Sequence, residues 1–514
     1  MSKTDNACGP YCPLNALYGP EQAKKTFQWL QEQIQSLPPG RTAPAADFSP
    51  AWALLSMTAA AAQALSAEQL TALSRSFSLL HIRGDLSTVT PQWVENLPTG
   101  LAVMLDLPLN DVPVRHPWFQ AFLQADPKYS TYFIPYEPDA DLLRVRRPTA
   151  DPIVTRFETV SGPRRVWTTF GPQRADLNYQ TPAVIEEMIE RLLQAALRGA
   201  AVLRLPDAPY LWKESGTPCL HLAQSHGIVH MFRDILADAG FSTRLACEVR
   251  GSFAEVQSYF GDGVEASLIY NAGLPALLLE ALTSGQVEAL RHWTRSMSLP
   301  SFDVTYLNLC DFPDGIPLEP AAGLSDPAVM ESLIDRLRTR GLALLQRPTR
   351  DAYQEVYHVQ AGLWQTLEGS DAARLLRWIA AQNVVFSLVG APALNAESLW
   401  EDGQPRTESK SLRWEAVQRL LAARSQSGAF HPAAAQMVLD TGPAIFGLLR
   451  LSPDGREVAL CLQNFSAHVQ PVDLDAGLLG PQPNGWYDLL SGKPLAVEDL
   501  WLDPLQGVWL TPAK

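Results

Sequence analysis

One short stretch, VLRLPDAPYLWKE at residues 202–214, contains residues whose types and spacing bear on catalysis. It begins as an apolar strand that carries Arg204 just before its end, which is typical of the rim of an active site. Because side chains two residues apart on a strand share one face, Pro206 lies on the same side as Arg204, and a proline supplies neither a nucleophile nor a proton. Asp207 comes one residue later, and strand alternation predicts that it faces the other way. A bulge at Pro206 is the alternative that would turn Asp207 back into the site.

The elements that position this stretch can be read from hydrophobic patterning. Short apolar runs expected to be strands are WALLSM, FSLLHI, LAVMLDL, AAVLRL, TRLACEV, VTYLNLC and NVVFSLVG. Between them lie amphipathic segments such as PAVIEEMIERLLQAALRG and IVHMFRDILADAG, each ending at a glycine as helices commonly do. Alternation of strand and helix over about 400 residues predicts an α/β fold with a parallel sheet, and at this size a (β/α)8 TIM barrel.

Two regions depart from this alternation and suggest a division into domains. We expect the barrel to comprise residues 1–106 and 171–430. Residues 107–170 form an aromatic, proline-rich insertion that is too long for an ordinary loop and is expected to be a subdomain. From residue 431 to 514, short alternating strands and the turn sequence SPDGRE predict an antiparallel β-domain.

Composition limits the function classes. The chain has 514 residues and a formal net charge of −14, which argues against nucleic acid or an anionic membrane as its main partner. The sequence begins MSKTDNACGP, without an apolar stretch, and no apolar run reaches the ~18 residues of a membrane span. Six cysteines are scattered along the chain without metal-like pairing, apart from Cys8 and Cys12, which have no second pair to complete a zinc site, so free thiols are expected. We therefore expect a soluble, cytoplasmic protein without a metal or cofactor.

Five longer stretches carry a family resemblance from about residue 77 to 470. They are HPWFQAFLQADPKYSTYFI, VWTTFGPQRADLNYQTPAVIEEM, LWKESGTPCLHLAQSHGIVHMFRDIL, SYFGDG and FHPAAAQMVLDTGPAIFGLLRLSPDG. These resemble the sucrose and glucosylglycerate phosphorylase-like branch of glycoside hydrolase family 13, in the α-amylase superfamily. The resemblance implies a (β/α)8 barrel with a B subdomain after its third strand, a further excursion after the seventh and a C-terminal β-domain. It also implies glucosyl transfer from an α-glucoside to phosphate through an aspartate nucleophile and a glutamate acid/base.

When the catalytic positions of the family are transferred to this sequence one at a time, the resemblance implies a site that keeps some catalytic residues and has lost others. The acid/base falls on Glu248 in LACEVRG, and the aspartate that stabilises the transition state falls on Asp314 in CDFPDGI. Aligning LWKE without gaps puts Pro206 at the nucleophile position, with Asp207 displaced by one residue. A retaining enzyme needs its two carboxyl groups ~5–5.5 Å apart, so we expect the displaced pair to lie beyond that distance.

The substrate-binding positions are also altered. Asp106 and Asn110 in MLDLPLND match the family pattern, but the histidine that should follow is Asp111, and Pro313 replaces the histidine before Asp314. The family's glucose-holding loop after the second strand has no counterpart, because LLHIRGDLSTVTPQWV is too short.

Further residues have a functional and a structural interpretation. Arg204 is expected to pair with carboxylates, as a buried guanidinium must. The aromatic side chains that could stack on a sugar or belong to the core are Trp167, Tyr210 and Trp212. His221 and His226 are interpreted as structural rather than metal-binding. The resemblance implies that loops beyond the seventh strand handle phosphate. The residues near these loops are Arg347, Arg350, Tyr353 and Tyr357, but they match the family too loosely to be assigned roles.

Three hypotheses follow from these positions. The first is a pseudoenzyme that binds a sugar, a sugar phosphate or a partner protein, either an active relative or a second copy of itself in a homodimer. The second is an active α-glucoside phosphorylase or glycosidase whose site is rebuilt around Asp207 and Glu248, either by using Asp207 or by an inverting arrangement through Glu248. The third is a structural subunit whose cleft is closed. The combined losses favour the first, because an enzyme without its nucleophile and sugar-binding groups loses many orders of magnitude in rate.

Overall fold

The computed structural model describes residues 9–38, 48–84, 88–136, 141–348, 354–399, 407–474 and 485–513. Eight parallel strands close into a barrel in which each strand pairs with its neighbours in sequence and the last pairs with the first. In order, the barrel strands are Leu54–Thr58, Leu79–Arg83, Ala102–Asp106, Val202–Leu205, Arg244–Cys247, Leu268–Tyr270, Thr305–Asn308 and Ala391–Asn395. The predicted (β/α)8 barrel is confirmed.

Helices follow most of the barrel strands and cover the sheet. The α-helices of the described residues are Tyr11–Ser36, Ala59–Gln63, Ala67–Ser74, Pro91–Glu95, Pro117–Leu123, Pro182–Leu197, Ala223–Asp238, Phe253–Ser258, Leu274–Ser284, Glu288–Arg295, Pro327–Thr339, Leu363–Thr366, Asp371–Ser387, Ala396–Leu399 and Glu408–Arg424. Pro182–Leu197 shows why such segments are helical. Its proline stands in the first turn, where the missing N–H costs no hydrogen bond, and its apolar residues are buried on one face.

The structure corrects the predicted strands at two places. The first six predicted runs contain barrel strands, but NVVFSLVG lies largely in the helix Asp371–Ser387, and the eighth strand is Ala391–Asn395. The sixth strand, Leu268–Tyr270, was not predicted. Residues 380–387 of that helix are all buried, and the short sixth strand is also buried throughout, so neither shows a period that separates helix from strand.

Antiparallel sheets surround the barrel. In the insertion after the third strand, Val154–Thr159 pairs with Gly162–Trp167, and Asp111–Pro113 pairs with Arg174–Asp176. The excursion after the seventh strand forms a three-stranded sheet, whose strands are Ile316–Pro317, Leu344–Pro348 and Gln354–Val359. The six-stranded C-terminal sheet consists of Ala435–Asp440, Ile445–Leu451, Val458–Asn464, Trp486–Asp488, Lys493–Leu495 and Gly507–Pro512, and a separate ribbon pairs Gln470–Pro471 with Trp501–Leu502. The predicted C-terminal antiparallel domain is confirmed.

The cysteines differ in part from expectation. Cys12 is disulfide-bonded, whereas Cys219, Cys247, Cys310 and Cys461 are free thiols buried in the protein. Within the described ranges, no helix is both long and apolar enough to cross a bilayer.

Candidate active-site cleft

Three charged side chains lie together at the carboxyl ends of three neighbouring barrel strands. Asp106 ends the third strand, Arg204 pairs with it in register on the fourth, and Glu248 directly follows the fifth. Arg204 donates from Nη1 to Asp106 Oδ1 at 2.5 Å and from Nη2 to Glu248 Oε2. The carboxyl ends of parallel barrel strands meet at one rim, so adjacent strands deliver these side chains to one place. The expected pairing of Arg204 with carboxylates is present.

A second arginine joins this group to Asp314. Arg250 donates from Nε to Glu248 Oε1 at 3.0 Å, and its two terminal nitrogens hold the Asp314 carboxylate at 2.8 and 2.9 Å. Its guanidinium also lies over the Phe312 ring, 4.9 Å from the centroid. The expected convergence of Asp106, Arg204, Glu248 and Asp314 is therefore observed, but the link between the last two is an arginine that sequence reasoning missed.

These pairings fix the charge of the two carboxyl groups. Burial by itself raises the pKa of Glu248, but the charges of Arg204 and Arg250 outweigh it and hold that pKa below its ordinary value. Burial likewise opposes ionisation of Asp314, and hydrogen bonds and charge from Arg250 keep its pKa low. A general acid must carry a proton near the working pH. Glu248 in this environment is a carboxylate and a poor proton donor.

Beneath these ion pairs, the barrel interior is closed. Ser56 Oγ lies 3.0 Å from His81 Nδ1, and His81 Nε2 lies 2.9 Å from Asp106 Oδ1. Ser56 and His81 line a small void together with Arg204 and Tyr270. The volume of this void is about 20 Å³. That volume is of the order needed for a single water molecule, so this void cannot hold a sugar ring.

Above the ion pairs lies a larger cavity of about 340 Å³. Its lining includes all three candidate catalytic carboxylic residues, Asp207, Glu248 and Asp314. Tyr210 and His358 also contribute to it. This volume falls within the range of small-molecule sites. The three candidate catalytic residues thus line one cavity.

Asp207 is among the residues that line this cavity. The fourth strand ends at Leu205, and Pro206 begins a turn in which Asp207 has φ −118° and ψ 19°. Because Asp207 lies outside the strand, strand alternation does not determine the direction of its side chain. Asp207 thus lines the cavity from this turn rather than from the bulged strand considered as the alternative, and its expected separation from Glu248 stays a prediction.

The Asp207 carboxyl has an unusual environment. Among the described residues, none donates a hydrogen bond to it or forms an ion pair with it. Burial, followed by the neighbouring charge of Asp111, raises its pKa to about 7, while Arg174 and Arg204 oppose the shift only in part. The group can therefore carry a proton near neutrality, which Glu248 cannot.

The expected substrate-binding residue Asn110 is removed from the cavity. It is fully buried, accepts a hydrogen bond from Lys213 Nζ, and donates to Asp111 Oδ2 at 3.1 Å. Lys213 also lies 2.9 Å from Asp176, and Arg174 lies 2.5 Å from Asp111. With a carboxylate at position 111, the side chains of Asn110, Asp111 and Lys213 are held by one another and by Arg174 and Asp176. Asp106 is likewise occupied, by Arg204 and His81.

The aromatic candidates separate into two kinds. Tyr210 lines the cavity and packs edge-on against Phe170, with ring centroids 5.1 Å apart. Trp167 is buried in a small apolar cluster with Ile153 and Cys219, so the interpretation that it binds a sugar is wrong and the core interpretation holds. Trp212 is buried in the main core.

His226, one of the two histidine candidates, contacts side chains of the fold. His226 Nδ1 lies 2.8 Å from Glu265, and His226 stacks on Tyr259 with ring centroids 4.2 Å apart. The described part of the chain holds no cluster of side chains suited to a metal ion. Arg350 and Tyr353 lie outside the described residues.

An adjoining cavity, also about 340 Å³, shares Tyr210 and Glu319 with the first and is rich in arginine. Its arginines are Arg144, Arg146, Arg147 and Arg347. Glu319 accepts from Arg146 at 2.9 Å and lies 3.0 Å from Arg347, so two of the four are partly neutralised. The run RVRRP, in a chain of net charge −14, is the sequence signal that could have located this cavity.

Comparisons with known proteins identify enzymes to which this chain is similar. No family model matches the chain. Glucosylglycerate phosphorylase of Spirochaeta thermophila is 34% identical over 476 residues, which cover 84% of this chain and 81% of that protein. Glucosylglycerate phosphorylase of Escherichia coli is 28% identical, over 82% of this chain and 80% of that protein.

Solved structures show the same fold. Sucrose 6F-phosphate phosphorylase of Thermoanaerobacter thermosaccharolyticum superposes with a TM-score of 0.67 at 19% identity, covering 84% of this chain and 98% of that chain. The α-amylase of H. orenii gives a TM-score of 0.58 at 14% identity, over 85% and 90% of the two chains. Together with the identity to the spirochaete enzyme, these likenesses place the chain in the sucrose and glucosylglycerate phosphorylase-like branch of glycoside hydrolase family 13.

Proposed function

We propose that this chain binds an α-glucoside in the cavity lined by Asp207, Glu248 and Asp314, and that it does not turn the ligand over by the retaining route of its family. The observation that carries the proposal is the pair of arginines on Glu248. They hold the acid/base residue as a carboxylate, while Pro206 occupies the nucleophile position. Both halves of a double displacement are therefore missing. With respect to that reaction, the protein is a pseudoenzyme.

The cavity itself supports ligand binding. It has room for a small ligand and combines an aromatic ring, Tyr210, with several carboxylates and a histidine. Sugars bind through their hydroxyl groups to such polar side chains and through their C–H faces to aromatic rings. An open cavity also counts against the hypothesis of a purely structural subunit with a closed cleft.

The adjoining arginines favour a ligand with an anionic group. Arg144 and Arg147 are exposed, and among the described residues neither is in an ion pair. Guanidinium groups suit carboxylates and phosphates, since their N–H groups match two oxygens at once. A glucoside of a hydroxy acid, such as glucosylglycerate, and a sugar phosphate both combine a sugar with such a group.

Isothermal titration calorimetry tests the binding half of the proposal. We expect glucosylglycerate or glucose 1-phosphate to bind, and Tyr210→Ala to weaken binding at least tenfold because it removes an aromatic ring that lines both cavities. Tyr487→Ala, in the C-terminal sheet, is the matched control and should leave affinity unchanged. The proposal would be contradicted if none of the three sugars, sucrose, glucosylglycerate and glucose 1-phosphate, bound at millimolar concentration.

The catalytic half is tested by product analysis. We expect no steady release of α-glucose 1-phosphate from sucrose or glucosylglycerate with phosphate. Pro206→Asp alone should not restore it, because Glu248 remains paired with Arg204 and Arg250 and the inner void remains too small for the donor sugar. Steady α-glucose 1-phosphate release by the wild-type protein, abolished by Glu248→Gln, would show that the retaining route survives.

An active enzyme with a rebuilt site is the second candidate. It is favoured by one specific observation, the unpartnered Asp207 carboxyl in the same cavity as Glu248. That carboxyl could do chemistry that the family reaction does not use.

A further inference from the structure

Four carboxyl groups line the cavity, and their partners differ: Glu319 accepts from Arg146 at 2.9 Å and lies 3.0 Å from Arg347. Both oxygens of Glu248 are held by arginines, and both oxygens of Asp314 are held by Arg250. Asp207 has no donor among the described residues, and burial together with Asp111 raises its pKa to about 7. Asp207 is therefore able to give up a proton near neutral pH, whereas Glu248 and Asp314 remain anionic.

Cleavage of a glycosidic bond needs a proton on the leaving oxygen and an electron pair at the anomeric carbon. A retaining enzyme takes that electron pair from its own carboxylate, the group that Pro206 has replaced. Direct displacement does not need it, because an incoming phosphate oxygen supplies the electron pair itself. The substitution at position 206 thus removes the covalent route and leaves the direct route chemically complete.

We propose that this chain catalyses inverting phosphorolysis of an α-glucoside, with Asp207 as the proton donor and inorganic phosphate as the nucleophile. The bond from the anomeric carbon to the aglycone oxygen breaks, and its electron pair stays on that oxygen, which takes the Asp207 proton. A phosphate oxygen forms the new bond at the anomeric carbon from the opposite face, giving β-glucose 1-phosphate. Asp207 then regains a proton from solvent.

The neighbouring charges suit this reaction. Glu248 and Asp314 stay ionised and can stabilise positive charge that develops on the sugar ring. The arginine-rich cavity adjoins the site through Tyr210 and Glu319 and offers Arg144 and Arg147 to phosphate. The proposal rests on the α-glucoside binding proposed above and adds a reaction to it.

The test incubates the full chain with glucosylglycerate and inorganic phosphate and identifies the product by ³¹P and ¹H nuclear magnetic resonance. We expect β-glucose 1-phosphate, with a rate that falls as the pH rises above about 7 because Asp207 loses its proton. Asp207→Asn should lower the rate at least a hundredfold, and Asp207→Glu should keep part of it. Asp303→Asn is the matched control, since this exposed residue precedes the seventh strand at the other end of the barrel.

A substrate with a good leaving group separates a proton donor from a merely structural residue. Asp207→Asn should cleave p-nitrophenyl α-glucoside with phosphate almost as fast as wild type, because nitrophenolate leaves without protonation. Equal losses on both substrates would contradict the role of Asp207.

The remaining outcomes distinguish this inference from the proposed function. The α-anomer as product, or no product despite glucosylglycerate binding in calorimetry, would overturn the inverting reaction and leave the binding proposal standing. Failure of every sugar to bind would overturn both.

Discussion

At the scale of single residues, a one-position displacement changes the chemistry of the cleft. Pro206 stands two residues after Arg204, where the family resemblance implies a carboxylate, and Arg204 pairs with Asp106 and Glu248. Asp207 lies in the cavity but without a cation directly beside its carboxyl group. The usual charge states of the two groups are thereby exchanged: the glutamate is held ionised and the aspartate can be neutral.

The raised pKa of Asp207 predicts a pH-dependent effect on stability. A carboxyl group whose pKa is higher in the folded state binds its proton more tightly there, so its contribution is fully present below the unfolded pKa and is lost as the pH rises through about 7. Asp207→Asn should therefore stabilise the protein at pH 8 by about 1–4 kcal/mol, since a tenfold difference in proton affinity between the folded and unfolded states is worth about 1.4 kcal/mol. Thermal unfolding at pH 8 and pH 4 measures this, and the gain should be absent at pH 4. An equal gain at both pH values would show that folding does not raise the pKa of this carboxyl.

At the scale of elements, the loops after the barrel strands connect groups that the strands alone leave apart. Arg250 follows the fifth strand by three residues, and Asp314 lies in the segment after the seventh. The arginine bridges these two segments through its bidentate contact with Asp314 while also holding Glu248. The bridge sets the ionisation of both acids and occupies the space between them.

Removing this bridge should change stability and ionisation together. Arg250→Gln should destabilise the protein by about 1–3 kcal/mol, less than a fully buried ion pair because the Arg250 side chain is 34% exposed. The pKa of Glu248 should rise, because its burial remains while one of two cations is lost. Chemical denaturation measures the first effect, and carboxyl titration by nuclear magnetic resonance measures the second. Arg250→Lys, which keeps the charge, should change the Glu248 pKa less, and an unchanged pKa in Arg250→Gln would contradict the assignment.

At the scale of the whole molecule, buried arginines join the barrel to the C-terminal domain. Arg450, on the second strand of that domain, is fully buried and donates to the Ser387 carbonyl at the end of a barrel helix. It also donates to the carbonyl groups of His431 and Ala435. Burial without a carboxylate lowers the pKa of Arg450 to about 10, so it stays charged at neutral pH. Carbonyl dipoles stabilise this cation at the junction.

We expect Arg450→Met to weaken the junction strongly. The substitution keeps an apolar stem but leaves several buried carbonyl groups without a donor, and each such group costs about 1–3 kcal/mol. Urea unfolding should show a loss of about 3 kcal/mol or more, with earlier proteolysis near residues 425–435. Arg456→Met in the exposed SPDGRE turn is the control and should be neutral. A neutral Arg450→Met would show that the domain does not depend on these hydrogen bonds.

The amino-acid sequence by itself determined the barrel, most of its strands and the rim position of Arg204, and the family resemblance pointed to Asp106 and Glu248. Strand and helix differ in their local hydrophobic period, and parallel strands place their carboxyl ends at one rim whatever the packing details. These properties depend on neighbours in the chain and can be read along it. The family resemblance added the roles and located the substitution at Pro206.

Only the tertiary structure decided the direction of Asp207, the bridging position of Arg250 and the cavity formed by Arg146 and Arg347. Asp207 lies in an irregular turn, where no period fixes a side chain. Arg250 and Asp314 are 64 residues apart in sequence, and Arg146 and Glu319 are 173 apart. Such pairings arise when loops from different strands pack over the same rim, and charge, burial and pKa follow from that packing. The acid that this cleft can use is therefore a property of the folded chain, although the residue itself is plain in the sequence.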